Sequence, residues 1–332
     1  MQLVLNTYGL QLSQRNHCFQ IESKTTSRLI SPVRITSILI TKAANITSSA
    51  IMLAAENKIP VILVNNIGEP VVKIDPIMTR GHSMLRKKQY EFSKSAESLF
   101  WMMQMLKLKT EGHIGNLAWW ANRKQVVAEV CHESRKQIIL FQKNWAINFQ
   151  EQNPRKEILQ TLRGWEGVTA RFYWKAMSKL AQNEGWNMQG RNYRPALDGI
   201  NTLLNYLYGM MYHQVELALA SSGLDSQVGI WHADEYQTPS LSFDVIEPLR
   251  PKVDYLIVEL LIKGKIQPGW FEEDEKYGYI LNKKGKDFII PVFNDWLEEG
   301  TKMQNHVTQM KNHILQQANN LKQEIEKCIS DE

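Results

Sequence analysis

PVVKIDPIMTRGHSMLRKKQYEFSKSAESLF, residues Pro70 to Phe100, is where this chain changes character. A residue that precedes proline is pushed out of the α region, so Asp75 before Pro76 closes one kind of structure. Behind that point β-branched and apolar residues dominate; ahead of it Met, Trp, Gln, Lys and Leu take over. From Met84 to about residue 108, Leu85, Phe92, Ala96, Phe100 and Met103 form an apolar stripe, the spacing of one long helix.

Working back from the break, Gln2–Asn6 alternates apolar and polar residues, and Tyr8-Gly9 reads as a turn. Leu10–Ser13, Cys18–Glu22, Arg34–Thr41 and Ile59–Val64 are further strand segments, and Asn66 to Glu69 turns into Pro70–Ile74. Thr47-Ser48 opens a short helix over SAIMLAAENK, with a hydroxyl in the capping position. The strands are expected to be held by hairpins. Working forward, helices are predicted around 125–149, 158–182, 199–221, 253–262, 288–299 and 303–329, with a brief hairpin tip at 280–286. The fold class is therefore α+β. A small N-terminal β-rich, sandwich-like domain spans 1–75, and a larger all-helical domain spans 76–332 and ends in a polar tail that frays.

The 332 residues, 43% of them hydrophobic, supply enough apolar surface for real cores and exclude a largely disordered chain. Three scattered cysteines, Cys18, Cys131 and Cys328, exclude a disulfide scaffold, and no CxxC pair starts a zinc site. The opening MQLVLNTYGLQLSQ lacks the basic segment and long apolar run of a secretory signal, and later apolar runs are too short to span a membrane. A reducing, cytoplasmic setting is the expectation. Thirty-nine basic against 34 acidic residues give a net charge of +5, which permits a polyanionic partner without demanding one. Its layout says more: Arg80, Arg86, Lys87 and Lys88 cluster with no acid among them, a patch that can grip phosphates. A solvated helix face explains the same residues.

Three stretches carry chemistry-bearing side chains. GWEGVTARFYW, 164–174, sets Glu166 between glycines in a helix, with Arg163 before it and Arg171 and Tyr173 after it. Glycine costs such a helix close to 1 kcal/mol relative to alanine, so it needs a reason: helix packing, or close approach of a ligand. GIWHADEY, 229–236, sets His232 beyond a helix end, with Trp231 and Tyr236 as possible cleft walls. SFDVIEPLRPKVD, 242–254, sets Asp244 and Glu247 one helical turn apart, with Arg250 three residues on. An acidic helix start paired with Arg250 accounts for the same residues. Two carboxylates and an imidazole suit Mg²⁺ or Mn²⁺, but spacing alone does not bring Glu166, His232 and Glu247 together.

The order of motifs does more. GWEGVTARFYW, then RPALDGINTLLNYLYGMMYHQVE (194–216), then GIWHADEYQTPSLSFDVIEPLRPKVD (229–254), resembles the CRISPR-associated spacer-acquisition integrase/endonuclease family. LNTYGLQLSQRNHCFQIE, IPVILVNNIGEPV, GYILNKKGKDFIIPVFNDWL and HILQQANNLKQEI extend the resemblance over nearly the whole chain. The resemblance implies that Glu166, His232 and Glu247 are catalytic and bind one divalent ion, Mg²⁺ or Mn²⁺. Asp244, Asn205 and Tyr173 would support them. Arg80, Arg86, Lys87, Lys88, Arg163 and Arg171 would contact DNA backbone. Around Lys109 the sequence departs from the family, with Thr110-Glu111-Gly112-His113 where an Asn-Gln pair is usual.

The resemblance further implies a homodimer joined through the N-terminal domain, and a complex with the dimer of a second, small CRISPR-associated protein. It implies double-stranded DNA substrates, a spacer precursor and a leader–repeat target. The implied reaction is a metal-dependent transesterification in which a 3′-hydroxyl of the short duplex attacks a phosphodiester of the repeat array. Two other readings stand beside it: a DNA endonuclease acting by hydrolysis on branched or general substrates, and a non-catalytic helical DNA-binding scaffold.

Overall fold

The computed structural model describes residues 1–41, 44–65, 70–74, 83–147, 154–232, 239–303 and 306–328. The expected break at Asp75-Pro76, together with Arg80 and Tyr236, lies outside the described residues. The chain forms two compact units: Met1–Gly81 with Gly269–His313, and His82–Pro268 with Ile314–Glu332.

The N-terminal part is a mixed β domain. Its strands are β1 (Gln2–Leu5), β2 (Leu10–Arg15), β3 (Cys18–Glu22), β4 (Ser27–Ile30), β5 (Ser37–Ile40), β6 (Ala44–Ile46), β7 (Val61–Val64) and β8 (Pro70–Ile74). One sheet has the order β1-β5-β7-β8 and the other β4-β3-β2-β6. Hairpins join β2 to β3, β3 to β4 and β7 to β8, but β1–β5, β5–β7 and β2–β6 are parallel. The expectation of a domain held by hairpins is thus only half met. Every residue of β5 is buried, as a strand inside a parallel sheet requires, and the apolar run Ile38-Leu39-Ile40 is its signature. The β2–β3 turn places Asn16 and His17 at φ 51° and 55°, where asparagine is one of the residues that tolerates the left-handed region. Helix α1 (Ser48–Glu56) is capped by Thr47, whose hydroxyl accepts from the Ala50 amide at 3.2 Å. Leu3, Leu5, Leu12, Phe19, Ile38, Ile40, Leu53 and Val61 from both sheets and α1 share one core.

The larger helical part follows, with α2 (Ser83–Lys94), α3 (Ala96–Arg123), α4 (Ala128–Ile147), α5 (Arg155–Asn183), α6 (Gly199–Ser222), α7 (Ser240–Val245) and α8 (Arg250–Ile262). The single helix expected from Met84 is two. Ser95 breaks it: its backbone is extended at ψ 165° and its hydroxyl accepts from the Ser98 amide, capping α3 afresh. The stripe survives because both helices bury one face. Helix α3 packs on α4, α5 and α8, and α6 on α8, around Trp120, Leu106, Leu117, Met177 and Leu207.

Helices α3 and α8 meet closely at Gly112, where a Cβ would sit 2.8 Å from Cβ of Pro251 and 2.9 Å from its Cγ. One turn on, Asn116 Nδ2 donates to the Pro251 carbonyl at 2.7 Å. Gly112→Ala therefore forces the helices apart despite alanine's better propensity. A loss of about 1–3 kcal/mol is expected, measured by urea unfolding.

Beyond Pro268 the chain adds to the first unit a hairpin of β9 (Phe271–Asp274) and β10 (Gly278–Leu281), helix α9 (Lys283–Glu298) and a second hairpin of β11 (Gly300–Met303) and β12 (His306–Gln309). The hairpin expected at 280–286 lies earlier, because Asn282 caps α9 through the Gly285 amide at 3.2 Å. The polar tail expected to fray is helix α10 (Met310–Cys328). Met310, Ile314, Ala318, Leu321 and Ile325 recur at helical spacing and are at most 2% exposed, so one apolar stripe holds a largely polar sequence. No helix among the described residues is long and apolar enough to cross a membrane.

Candidate functional site

Two of the carboxylates singled out by sequence converge on one cation. Glu166 lies in the middle of α5, and Glu247 opens the short 3-10 turn Glu247–Leu249 between α7 and α8. Between them stands Lys109 of α3, whose Nζ is 2.6 Å from Glu166 Oε1 and 2.6 Å from Glu247 Oε2. The two oxygens therefore lie within twice that distance of each other. The other oxygen of Glu247 accepts from Arg250 Nε at 3.0 Å, and Arg250 also donates to the Tyr212 hydroxyl. The Glu247 side chain is 3% exposed, Lys109 10% and Glu166 26%, so this ion network opens on the Glu166 side.

Burial would raise the Glu247 carboxyl, but the charges of Arg250 and Lys109 outweigh it and hold the group at about 2. Burial likewise works against the Lys109 ammonium, and Glu247 and Glu166 more than restore it, leaving its pKa raised. Both stay ionised at neutral pH. The local charge sums to zero, with two carboxylates against one ammonium and one guanidinium.

His232 is placed by Asp244. The Asp244 carboxylate, fully buried, accepts from the backbone amides of Ile230 (2.7 Å), Trp231 (3.1 Å) and His232 (3.1 Å) and faces His232 Nδ1 at 2.6 Å. Both its oxygens are thereby engaged. Asp244 builds the 230–232 loop and commits Nδ1, so a ligand would be taken on Nε2. Trp231 is buried and packs edge-on to His232.

The remaining candidates are dispersed. Tyr173 is buried, stacked on His113 with 3.8 Å between ring centroids, and its hydroxyl donates to Asp254 Oδ2 at 3.0 Å. It stands in the core. Asn205 accepts from Arg191 at 2.7 Å and donates to the Tyr193 carbonyl at 2.7 Å, so it fixes the 191–193 segment. Arg163 is exposed and donates to the Trp231 carbonyl at 2.7 Å. Arg171 is exposed on α5; Arg86 and Lys87 are exposed and Lys88 half-buried on α2. Tyr8, in the β domain, is 91% exposed.

Sequence reasoning passed over two positioning groups. Arg155 at the start of α5 donates to the carbonyls of Ser93, Ser95 and Ile230, so it ties the α2–α3 break to the His232 loop. Lys109 stands out in the sequence only as the point around which the chain departs from the family. Its partners are 57 and 138 residues away, and no local signal marks them.

The glycines beside Glu166 also resolve. A Cβ at Gly164 or Gly167 would meet nothing within 4 Å among the described residues. Packing against the described residues is therefore not what these glycines serve; one and two positions from Glu166, they leave an adjoining face of α5 without side chains.

Beneath the site Asp254 accepts from Tyr208 at 2.5 Å and from Tyr173 at 3.0 Å. Burial raises its carboxyl to about 6, although both hydroxyls favour the ionised form. A folded value above the unfolded one near 3.8 makes its stabilising contribution complete below about pH 4 and lost as pH rises through 6. Asp254→Asn is expected to remove that fall, roughly 3 kcal/mol from the size of the shift, when unfolding free energies of the two proteins are compared between pH 4 and pH 7.

As the side chains stand, no group of three His, Cys, Asp or Glu residues among the described residues is drawn together to hold an ion. The donor set is nevertheless of the right kind, two carboxylate oxygens turned to one cation with an imidazole nearby, and Lys109 stands where such an ion would be held.

The family model for CRISPR associated protein Cas1 matches residues 3–295. The chain belongs to the Cas1 family. A CRISPR-associated endonuclease Cas1 from Methanospirillum hungatei is 28% identical over 289 residues, covering 84% of this chain and 82% of the relative. The same fold occurs in a casposase solved bound to integration product, with a TM-score of 0.80, 22% identity, and coverage of 99% of this chain and 92% of that one. A Cas1 protein from Thermotoga maritima has a TM-score of 0.77 at 18% identity, over the full length of both chains.

Proposed function

We propose that this Cas1-family protein is a divalent-metal-dependent DNA integrase and endonuclease that inserts short duplexes, new spacers, into a CRISPR repeat array. The observation that carries the reading is the convergence of Glu166 and Glu247 on one cation, beside a histidine oriented by Asp244, in a chain of this family. Glu166, Glu247 and His232, through Nε2, would hold Mg²⁺ or Mn²⁺. A bound ion supplies Lewis-acid stabilisation of charge on a phosphodiester and acidifies an attacking hydroxyl.

The protein's own groups prepare that chemistry. Asp244 fixes the tautomer and direction of His232. Arg250 holds one Glu247 oxygen, leaving the other turned toward Glu166. The open surface at Gly164 and Gly167 gives a duplex backbone room to approach Glu166. Arg86, Lys87, Lys88, Arg163 and Arg171 supply positive charge for phosphates and read no sequence. In the same reading a 3′-hydroxyl displaces a phosphodiester oxygen, the N-terminal β domain joins a homodimer, a small CRISPR-associated protein dimer completes the complex, and the setting is cytoplasmic.

A labelled duplex with free 3′ ends, a repeat-bearing target and Mn²⁺ test this. Joined product that disappears when the 3′ ends are blocked supports strand transfer. Cut product with no joining assigns the chain to hydrolysis. Glu166→Ala and His232→Ala are each expected to lower either activity at least 100-fold; unchanged activity would leave a scaffold.

A further inference from the structure

The feature that the proposed chemistry does not use is Lys109. A lysine with 10% of its side chain exposed, 2.6 Å from each of two carboxylates on different elements, is held in place from both sides. The ammonium and a divalent ion cannot occupy that point together. Lys109 and Arg250 already balance Glu166 and Glu247, so with both in place a divalent ion would add two positive charges to a largely buried site whose remaining carboxylate, Asp244, is spent on the 230–232 loop. Like charges at contact distance in such a site repel by several kcal/mol.

We propose that Lys109 is a resident cation which keeps divalent metal out of the DNA-free site. Entry of the ion requires Nζ to leave Glu166 and Glu247. A phosphodiester at the mouth of the site supplies the anion that takes up the displaced ammonium and offsets the excess charge. Metal and DNA then bind with positive coupling, each raising the affinity for the other, as linkage requires. The surroundings permit the movement. Glu166 is the most exposed member of the network, and the glycine face beside it is open. The inference rests on the reading of Glu166 and Glu247 as metal ligands and adds what limits their occupancy.

The test is Mn²⁺ binding by the full chain without DNA, followed by titration calorimetry and by loss of the free-ion electron paramagnetic resonance signal. Lys109→Met removes the charge and keeps most of the bulk; it is expected to tighten Mn²⁺ binding at least tenfold and to show a larger melting shift with Mn²⁺ than the parent. Lys109→Arg keeps the charge and is expected to bind as weakly as the parent. Adding a short duplex should tighten Mn²⁺ binding in the parent and have little effect in Lys109→Met. Glu166→Gln, introduced into both backgrounds, separates the two ideas. Binding that depends on Glu166 but is not tightened by Lys109→Met overturns the role of Lys109 alone. Binding that ignores Glu166 in both backgrounds overturns the metal assignment and the inference with it.

Discussion

Glu247→Ala is expected to lose metal-dependent strand transfer and cleavage by at least 100-fold and to lower stability by about 3–5 kcal/mol. The stability loss follows from what remains. Lys109 and Arg250 stay charged and poorly solvated while one of their two carboxylates is gone, the case in which breaking a buried ion pair is most costly. The activity loss follows because an ion would keep a single carboxylate, on Glu166. Glu247→Gln separates the two effects. The amide oxygen still accepts from Lys109 or Arg250, so urea unfolding should show a smaller loss than in Glu247→Ala, while Mn²⁺ affinity and activity stay low. Wild-type activity in a folded Glu247→Gln protein would remove Glu247 from the chemistry.

Asp244→Ala is expected to cost about 3–5 kcal/mol as well, with a different signature. It orphans three backbone amides and one imidazole nitrogen around a fully buried carboxylate, and hydrogen bonds to a charged acceptor contribute about 1.5–3 kcal/mol each before relaxation. Amide hydrogen exchange at Ile230, Trp231 and His232 should accelerate well beyond the change at α3 or α8. Where the protein still folds, Mn²⁺ affinity should fall 10- to 100-fold, as for other groups that orient a metal-binding histidine. Asp244→Asn must turn its amide nitrogen toward at least one backbone amide donor in either orientation, so it is expected to loosen the loop in exchange and to weaken metal binding. An Asp244→Asn protein with unchanged exchange at 230–232 would show that the loop holds without the carboxylate.

These two acids also show how unevenly the sequence speaks. Asp244 and Glu247 are three residues apart and read alike, as a pair on one helical turn. In the folded chain they do opposite things: Asp244 faces inward and spends both oxygens on the 230–232 loop, whereas Glu247 faces Lys109 and Arg250. The end of α7 at Val245 separates them, with Asp244 inside that helix and Glu247 opening the next turn, and no local pattern states which way each points.

The sequence by itself determined the α+β class, because strand and helix periodicity follow from residue order over a few positions. It set the order of the β and helical parts, the Thr47 cap of α1, most of the helices, and the family, through several motifs in series. It left open the parallel pairings of β1, β5 and β7, the late return of 269–313 to the first unit, and the firm seating of α10, since each depends on contacts far along the chain. Tertiary structure alone decided that Lys109 of α3 stands between Glu166 of α5 and Glu247. The reason is physical: a lysine's charge is local, but the carboxylates that hold it are gathered by helix packing, and Gly112 against Pro251 sets that packing to within the width of one methyl group.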